Sequence, residues 1–181
     1  MANQWSTSFQ MTIDFYNQLD ASVKEQFRVK PYPSSVGWNT RKRFGDVIGI
    51  NKLYSGKSLK KAYMSSRVII CSYPETTFSE AMATDIPTIL VYSEQLYELN
   101  DVAMPLFKML KTAKIIFNSA SEASSHINSI WADPGAWWES SETIFARAEF
   151  RRQALNIDSD WLVKWANLLM TPSLKCHSST N

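Results

Sequence analysis

The chain has 181 residues, 19 basic against 17 acidic side chains, 45% apolar content and 13% aromatic content. That length suits one domain able to bury its own core, and a formal charge of +2 excludes a strongly basic nucleic-acid binder. Two cysteines, Cys71 and Cys176, exclude a disulfide scaffold, and the longest apolar stretch, residues 86–92, is far too short to cross a bilayer.

Taken in chain order, residues 5–24 place Trp5, Phe9, Ile13, Tyr16, Leu19 and Val23 at helical spacing. A short strand is expected over 27–32, then a short helix at 40–44 and a strand at 47–50. Ser58 reads as the N-cap of a helix through Met64. The apolar run 67–72, stopped by Tyr73-Pro74, has the character of a buried parallel strand. A helix opening at Thr76 or Thr77 follows and runs to about Thr84. Residues 86–92 form the next strand, with Pro87 near its start where a missing N–H is tolerated. A helical region over 96–112, restarted at Pro105, leads to a last short strand at 114–117. Helices are expected at 119–131, 136–153 and 158–170, and the serine- and proline-bearing tail 171–181 reads as a frayed end. Strands alternating with helices predict an α/β fold, a Rossmann-like parallel sheet sandwiched by helices, with a helical C-terminal segment.

Five glycines and no glycine-rich loop exclude the P-loop and the GxGxxG dinucleotide fingerprint, both of which need glycine for close backbone approach to phosphate. The informative stretch is Ser72-Tyr73-Pro74-Glu75-Thr76-Thr77-Phe78-Ser79-Glu80-Ala81-Met82, at the C-terminal end of the most apolar strand. Open α/β sheets bind ligands at that edge, where the next helix offers unpaired N–H groups and the positive end of its dipole. Thr76 and Thr77 can add hydroxyls to a phosphate, and Glu80 can accept from two ribose hydroxyls. The same residues also fit a plain helix start, with Thr76 as cap and Thr77 and Glu80 as a capping box.

Arg28 and Lys30, on the strand expected over 27–32, can form a cationic wall for a phosphate or an acidic sugar, whereas Arg41, Lys42 and Arg43 read as a solvated cluster. His126, beside Ile127 and Ile130, reads as a structural hydrogen-bonding group rather than a base. Asp133 reads as a helix end, and Trp131, Trp137 and Trp138 as packing. No set of residues has metal-ligand spacing on one element, so no metal site is expected. No serine has the setting of a nucleophile elbow, and no catalytic residue can be named.

Residues 72–87, with the strand end, the threonine-bearing turn, Glu80-Ala81-Met82-Ala83 and Ile86-Pro87, resemble the donor-binding segment of GT-B glycosyltransferases. The chain is similar more narrowly to bacterial surface-carbohydrate transferases of capsule and lipopolysaccharide biosynthesis, Kdo transferases among them. Arg28-Val29-Lys30-Pro31-Tyr32-Pro33 with Gly37-Trp38, His126-Ile127-Asn128 through the Trp137-Trp138 pair, and Ala146 to Phe150 with residues 161–168 carry that resemblance. It departs from the pattern at Pro74-Glu75, where an Asn-Ser-like turn is expected, and at Asn118, where a histidine is.

The resemblance implies a nucleotide-sugar donor held by Ser72, Thr76, Thr77 and Glu80, with Arg28 and Lys30 nearby. It implies a substrate rather than a tightly bound cofactor, with CMP-activated acidic sugars among the donors. It further implies that residues 1–170 are the C-terminal, donor-binding half of a two-domain enzyme, inactive without an N-terminal acceptor domain. Its partners are then a nucleotide sugar and a saccharide acceptor, with peripheral membrane association through that acceptor and a face open for homodimerisation. No secretory signal opens the chain, so a cytoplasmic location is expected. Two other readings stay open: a non-catalytic Rossmann-like interaction module, and another nucleotide-dependent enzyme such as an epimerase or a polyol-phosphate transferase.

Overall fold

Three short apolar segments build the sheet: β1 (Ile69–Cys71), β2 (Thr88–Val91) and β3 (Ile116–Phe117), all parallel in the order β1-β2-β3. The computed structural model describes residues 2–32, 38–155 and 160–170. In register, Ile70 lies beside Ile89 and Leu90 beside Ile116. Every residue of β2 is buried, because helices cover both faces of a central parallel strand. Alternation decides which layer each side chain joins: Leu90 and Tyr92 point into one cluster, Ile89 and Val91 into the other.

The first layer contains α4 (Leu59–Met64), α5 (Thr76–Met82), α6 (Met104–Thr112), α8 (Pro134–Trp138) and α9 (Ser141–Ala154), contributing Tyr63, Phe78, Met82, Leu110, Trp138 and Phe150. The crossovers β1–α5–β2 and β2–α6–β3 step in the same direction along the sheet. With one hand of crossover, both helices must then land on the same face. The second layer is α1 (Ala2–Asn17), α2 (Ala21–Gln26) and α7 (Ala120–Ile130), contributing Phe15, Leu19, Val23, Ala123 and Ile127. A smaller cluster of Ile13, Phe44, Ile48 and Leu53 joins α1 to α3 (Thr40–Ile48). The last helix, α10 (Trp161–Met170), exposes Trp161, Leu162, Val163 and Trp165. No helix among the described residues is long and apolar enough to cross a membrane.

The α/β, Rossmann-like expectation is met, and so is the Ser58 cap, whose side chain accepts from the Lys61 N–H at 3.2 Å. Several local expectations are corrected. Helix α1 stops at Asn17 rather than running to 24, because Asn128 of α7 clamps the turn: its Oδ1 accepts from the Asp20 N–H at 2.9 Å and its Nδ2 donates to the Gln18 carbonyl at 3.1 Å. The strand expected over 27–32 shrinks to one parallel bridge, Val29 with Leu53. Pro31 supplies no N–H to extend it. The strand expected at 47–50 is the end of α3, where Phe44 and Ile48, one turn apart, are both buried while Val47 and Ile50 face solvent. Gly49 then turns the chain at φ 97°, a region that favours glycine, and a Cβ there would lie 2.7 Å from the Asn51 side chain.

The helix expected from 96 begins only at Met104, with Pro105 in its first turn. That expected over 136–153 is two helices, each with its own cap. Asp133 accepts from the Ala136 N–H at 3.1 Å to start α8, and Ser140 accepts from the Thr143 N–H at 3.4 Å to start α9. Asp133 therefore opens a helix instead of ending one. The expected frayed tail, with Cys176, lies outside the described residues, as do Pro33 and Gly37.

Candidate functional site at the C-terminal edge of the sheet

Ser72 directly follows β1 and is half-buried, and residues 72–75 bend the chain into α5. Glu75 is the N-cap, with extended backbone at φ −124° and ψ −162° and no side-chain capping bond. Its carbonyl accepts from the Phe78 N–H at 2.9 Å and the Ser79 N–H at 3.2 Å. Thr76 and Thr77 are thus the first two helical residues, not the caps, and the capping box of Thr77 with Glu80 does not form, because the helix starts too early for it. Phe78, Ala81 and Met82 are buried, with Phe78 meeting Phe150 edge-on at 5.4 Å. Helical spacing then leaves Thr76, Thr77 and Glu80 exposed.

The first turn of α5 is held from beneath. The Tyr63 hydroxyl donates to the Thr77 carbonyl at 3.1 Å, and the Cys71 thiol lies 3.9 Å from the same oxygen. Burial, with the Cys71 thiol and the Glu80 carboxylate nearby, pushes the Tyr63 phenol well above its ordinary range, so it stays a neutral donor. Beside the turn, Tyr73 meets Tyr97 edge-on at 6.0 Å, and Tyr97 meets Tyr92 at 6.0 Å. Burial first, then Tyr73 and Glu75, push Tyr97 up to about 12. Helix α1 straps the segment after β2: Gln4 Nε2 donates to the Leu96 carbonyl at 3.1 Å, and Ser8 of the same helix is buried. The sheet edge therefore carries an open, hydroxyl-bearing helix start beside β1 and, on the segment that follows β2, a strap from α1.

A family model for LIC12162 family transferases matches residues 1–169. The chain belongs to that transferase family. No curated protein and no solved structure matches it. The match takes in α1 and α2, which lie before the segments that carried the sequence resemblance.

In this transferase, Ser72, Thr76, Thr77 and Glu80 lie together at one end of β1, whereas the two expected cations are engaged elsewhere. Arg28 Nη1 donates to the Glu25 carbonyl at 2.9 Å and the Phe27 carbonyl at 2.7 Å. Lys30 Nζ donates to the Gly56 and Lys57 carbonyls at 3.0 and 3.4 Å and sits over the Tyr54 ring. Lys42 pairs with Asp46 on the surface and Arg43 lies over Trp5, as a solvated cluster would. Trp131 stacks under Arg67, and Trp137 donates its indole N–H to the Ala113 carbonyl at 3.2 Å. Tyr63 and Tyr97, which support the edge, carry no local pattern that marks them as site residues, since each reaches the turn from another element.

His126 is buried between Phe117 and Trp137, and its Nε2 has no partner. Burial, helped by Lys114, pushes it down from 6.5 to about 4, so it is neutral at physiological pH. A depressed histidine pKa stabilises the fold above its unfolded value, and that contribution is lost as pH falls from 6.5 toward 4. At about 1.4 kcal/mol per unit, the loss on acidification is expected to approach ~3 kcal/mol. His126→Phe keeps the aromatic packing and should flatten this part of the stability profile. Urea melts of both chains at pH 7 and pH 4.5 check it, and an equal acid loss in the two would place the titrating group elsewhere.

Proposed function

We propose that this chain is the nucleotide-sugar-binding half of a glycosyltransferase-like protein for bacterial surface polysaccharide synthesis. The observation that carries the reading is the start of α5: at the C-terminal end of β1 it presents a turn without a side-chain cap, two exposed threonines, and an exposed carboxylate one turn further on. The Thr76 and Thr77 N–H groups and hydroxyls hold the donor phosphate, with Ser72 beside them. Glu80 accepts from the ribose hydroxyls. As the glycosidic bond breaks, negative charge grows on the leaving phosphate, and donors already in position stabilise it without reorganisation. Tyr63, by fixing the Thr77 carbonyl, keeps that turn in place. The acceptor and the general base belong to the half of the enzyme that this chain does not supply.

A thermal-shift titration with CMP, UDP, GDP and dTDP, repeated on Thr77→Val and Glu80→Gln, tests the reading. One nucleotide at a hundred times its dissociation constant should stabilise the fold by about 2.7 kcal/mol. That gain should disappear in both variants. No shift with any of the four, or a shift untouched by either substitution, removes the donor site from α5.

A further inference from the structure

Charge is divided unevenly along this chain. Residues 24–61 carry ten of the 19 basic side chains and two of the 17 acidic ones, a net of +8 where the whole chain totals +2. The remainder is therefore net −6. Such asymmetry speaks of a partner of opposite charge, not of the fold.

The described parts of this stretch fold together as one lobe. Val29 and Leu53 bridge, with the Val29 N–H donating to the Lys52 carbonyl at 2.8 Å and the Tyr54 N–H to the Val29 carbonyl at 2.7 Å. Lys52 Nζ reaches back to the Lys24 carbonyl at 2.7 Å. Phe44, Ile48 and Leu53 form a small core beneath and pack on Ile13 of α1. Arg28, Lys30 and Lys52 bond to carbonyls, which are neutral and leave the charge of each cation uncancelled. The two carboxylates are Glu25 and Asp46, and Asp46 is taken up by Lys42. Arg41, Arg43, Lys57, Lys60 and Lys61 are exposed, and among the described residues no carboxylate pairs with them.

The lobe also exposes apolar side chains. Where Gly49 turns the chain out of α3, Val47 and Ile50 on either side of it are 55% and 76% exposed. A valine and an isoleucine gain little from phosphates or the polar edges of bases. Among cations they suit a lipid surface, whose headgroups take the charge and whose acyl boundary takes the aliphatic groups.

We propose that this basic lobe docks the chain on an anionic lipid surface, with Val47 and Ile50 entering the headgroup layer. The contact belongs to the chain's own surface. It requires neither nucleotide binding at α5 nor an acceptor in the bilayer.

The test is co-sedimentation of the full chain with vesicles of phosphatidylcholine alone and of phosphatidylcholine mixed with phosphatidylglycerol. Pelleting is expected with the anionic vesicles and not with the neutral ones. It should be lost in about 1 M salt, where the screening length is ~3 Å. Each lysine or arginine near an anionic leaflet changes partitioning by roughly fivefold, so Arg41→Gln, Lys60→Gln and Lys61→Gln combined should weaken binding by roughly tenfold or more. Val47→Ser with Ile50→Ser should weaken it by roughly tenfold as well, with an unchanged salt dependence. All five side chains are exposed, so urea midpoints equal to that of the parent chain verify folding. Thr77→Val should pellet as the parent does, whatever the nucleotide series shows. No pelleting with the anionic vesicles, or equal pelleting with the neutral ones, overturns the proposal. So does full pelleting of the charge variant, which would place the contact on another surface such as the exposed residues of α10. Tighter retention of a single-stranded RNA than of the anionic vesicles, lost in the charge variant and kept in the Val47 and Ile50 variant, would make the lobe a nucleic-acid surface instead.

Discussion

Trp138→Ala is expected to destabilise the fold by about 3–5 kcal/mol, the range for removing a fully buried large aromatic. Trp138 is 1% exposed and ends α8, where it packs in the larger core cluster. Above its ring, the Arg147 guanidinium lies 4.2 Å from the centroid, and Arg147 Nη1 donates to the Trp138 carbonyl at 3.0 Å. The same arginine reaches Asp85, before β2, at 3.2 Å and Glu139 at 3.4 Å. Both carboxylates are exposed, so those ion pairs contribute little. The stacked ring and the carbonyl contact hold this nearly buried guanidinium, whose Nε is left without a partner. Removing the indole leaves a cavity and loosens Arg147 at once.

Trp138→Phe is expected to cost far less. The indole Nε1 has no hydrogen-bond partner, so its deletion loses no bond and removes a buried unpaired donor. Equilibrium urea unfolding followed by far-ultraviolet circular dichroism compares the three chains. A phenylalanine variant as unstable as the alanine variant would mean that a benzyl ring fills too little of the indole's place to hold Arg147 and the core.

Cys71 should resist thiol reagents until the chain unfolds. It closes β1 at 5% exposure, and burial pushes its thiol up to about 12. Only the thiolate attacks, so its population at neutral pH falls about a thousandfold below that of a free cysteine, before any steric block is counted. With Cys176→Ser removing the other thiol, labelling by a disulfide reagent should be undetectable in the native chain over a time that completes it in guanidinium. Prompt native labelling would show that β1 opens readily. The result bears on function, because an inert Cys71 leaves the α5 edge to oxygen and nitrogen donors.

The two cases also show what is legible in a linear chain. Cys71 lies in an unbroken apolar run, and such a run flanked by turn residues announces a buried parallel strand whichever helices cover it. The same holds for 86–92 and 114–117, and the Ser58 cap was equally local, needing only a serine three residues before a free N–H. Trp138 was readable as packing, but not its partner: Arg147 joins it through a helix break at Glu139-Ser140 that periodicity ran straight across.

The candidate site divides in the same way. Ser72, Thr76, Thr77 and Glu80 are within nine positions of one another, and their placement at a strand end follows from local pattern. Whether Thr77 and Glu80 cap a helix or stand free on it was decided by where α5 begins, with Tyr63, a residue of another helix, bonded to its first turn.

The parallel α/β architecture, most of its helices and the α5 edge are legible along the chain, because burial on one face imprints a period on consecutive residues. The strap of α1 over the segment after β2, the clamping of the α1–α2 turn by Asn128, and the engagement of Arg28 and Lys30 with backbone carbonyls exist only in the folded molecule. Those contacts depend on which elements meet in space, and a polar side chain has the same signature in the chain whether it faces a ligand, a carbonyl or water.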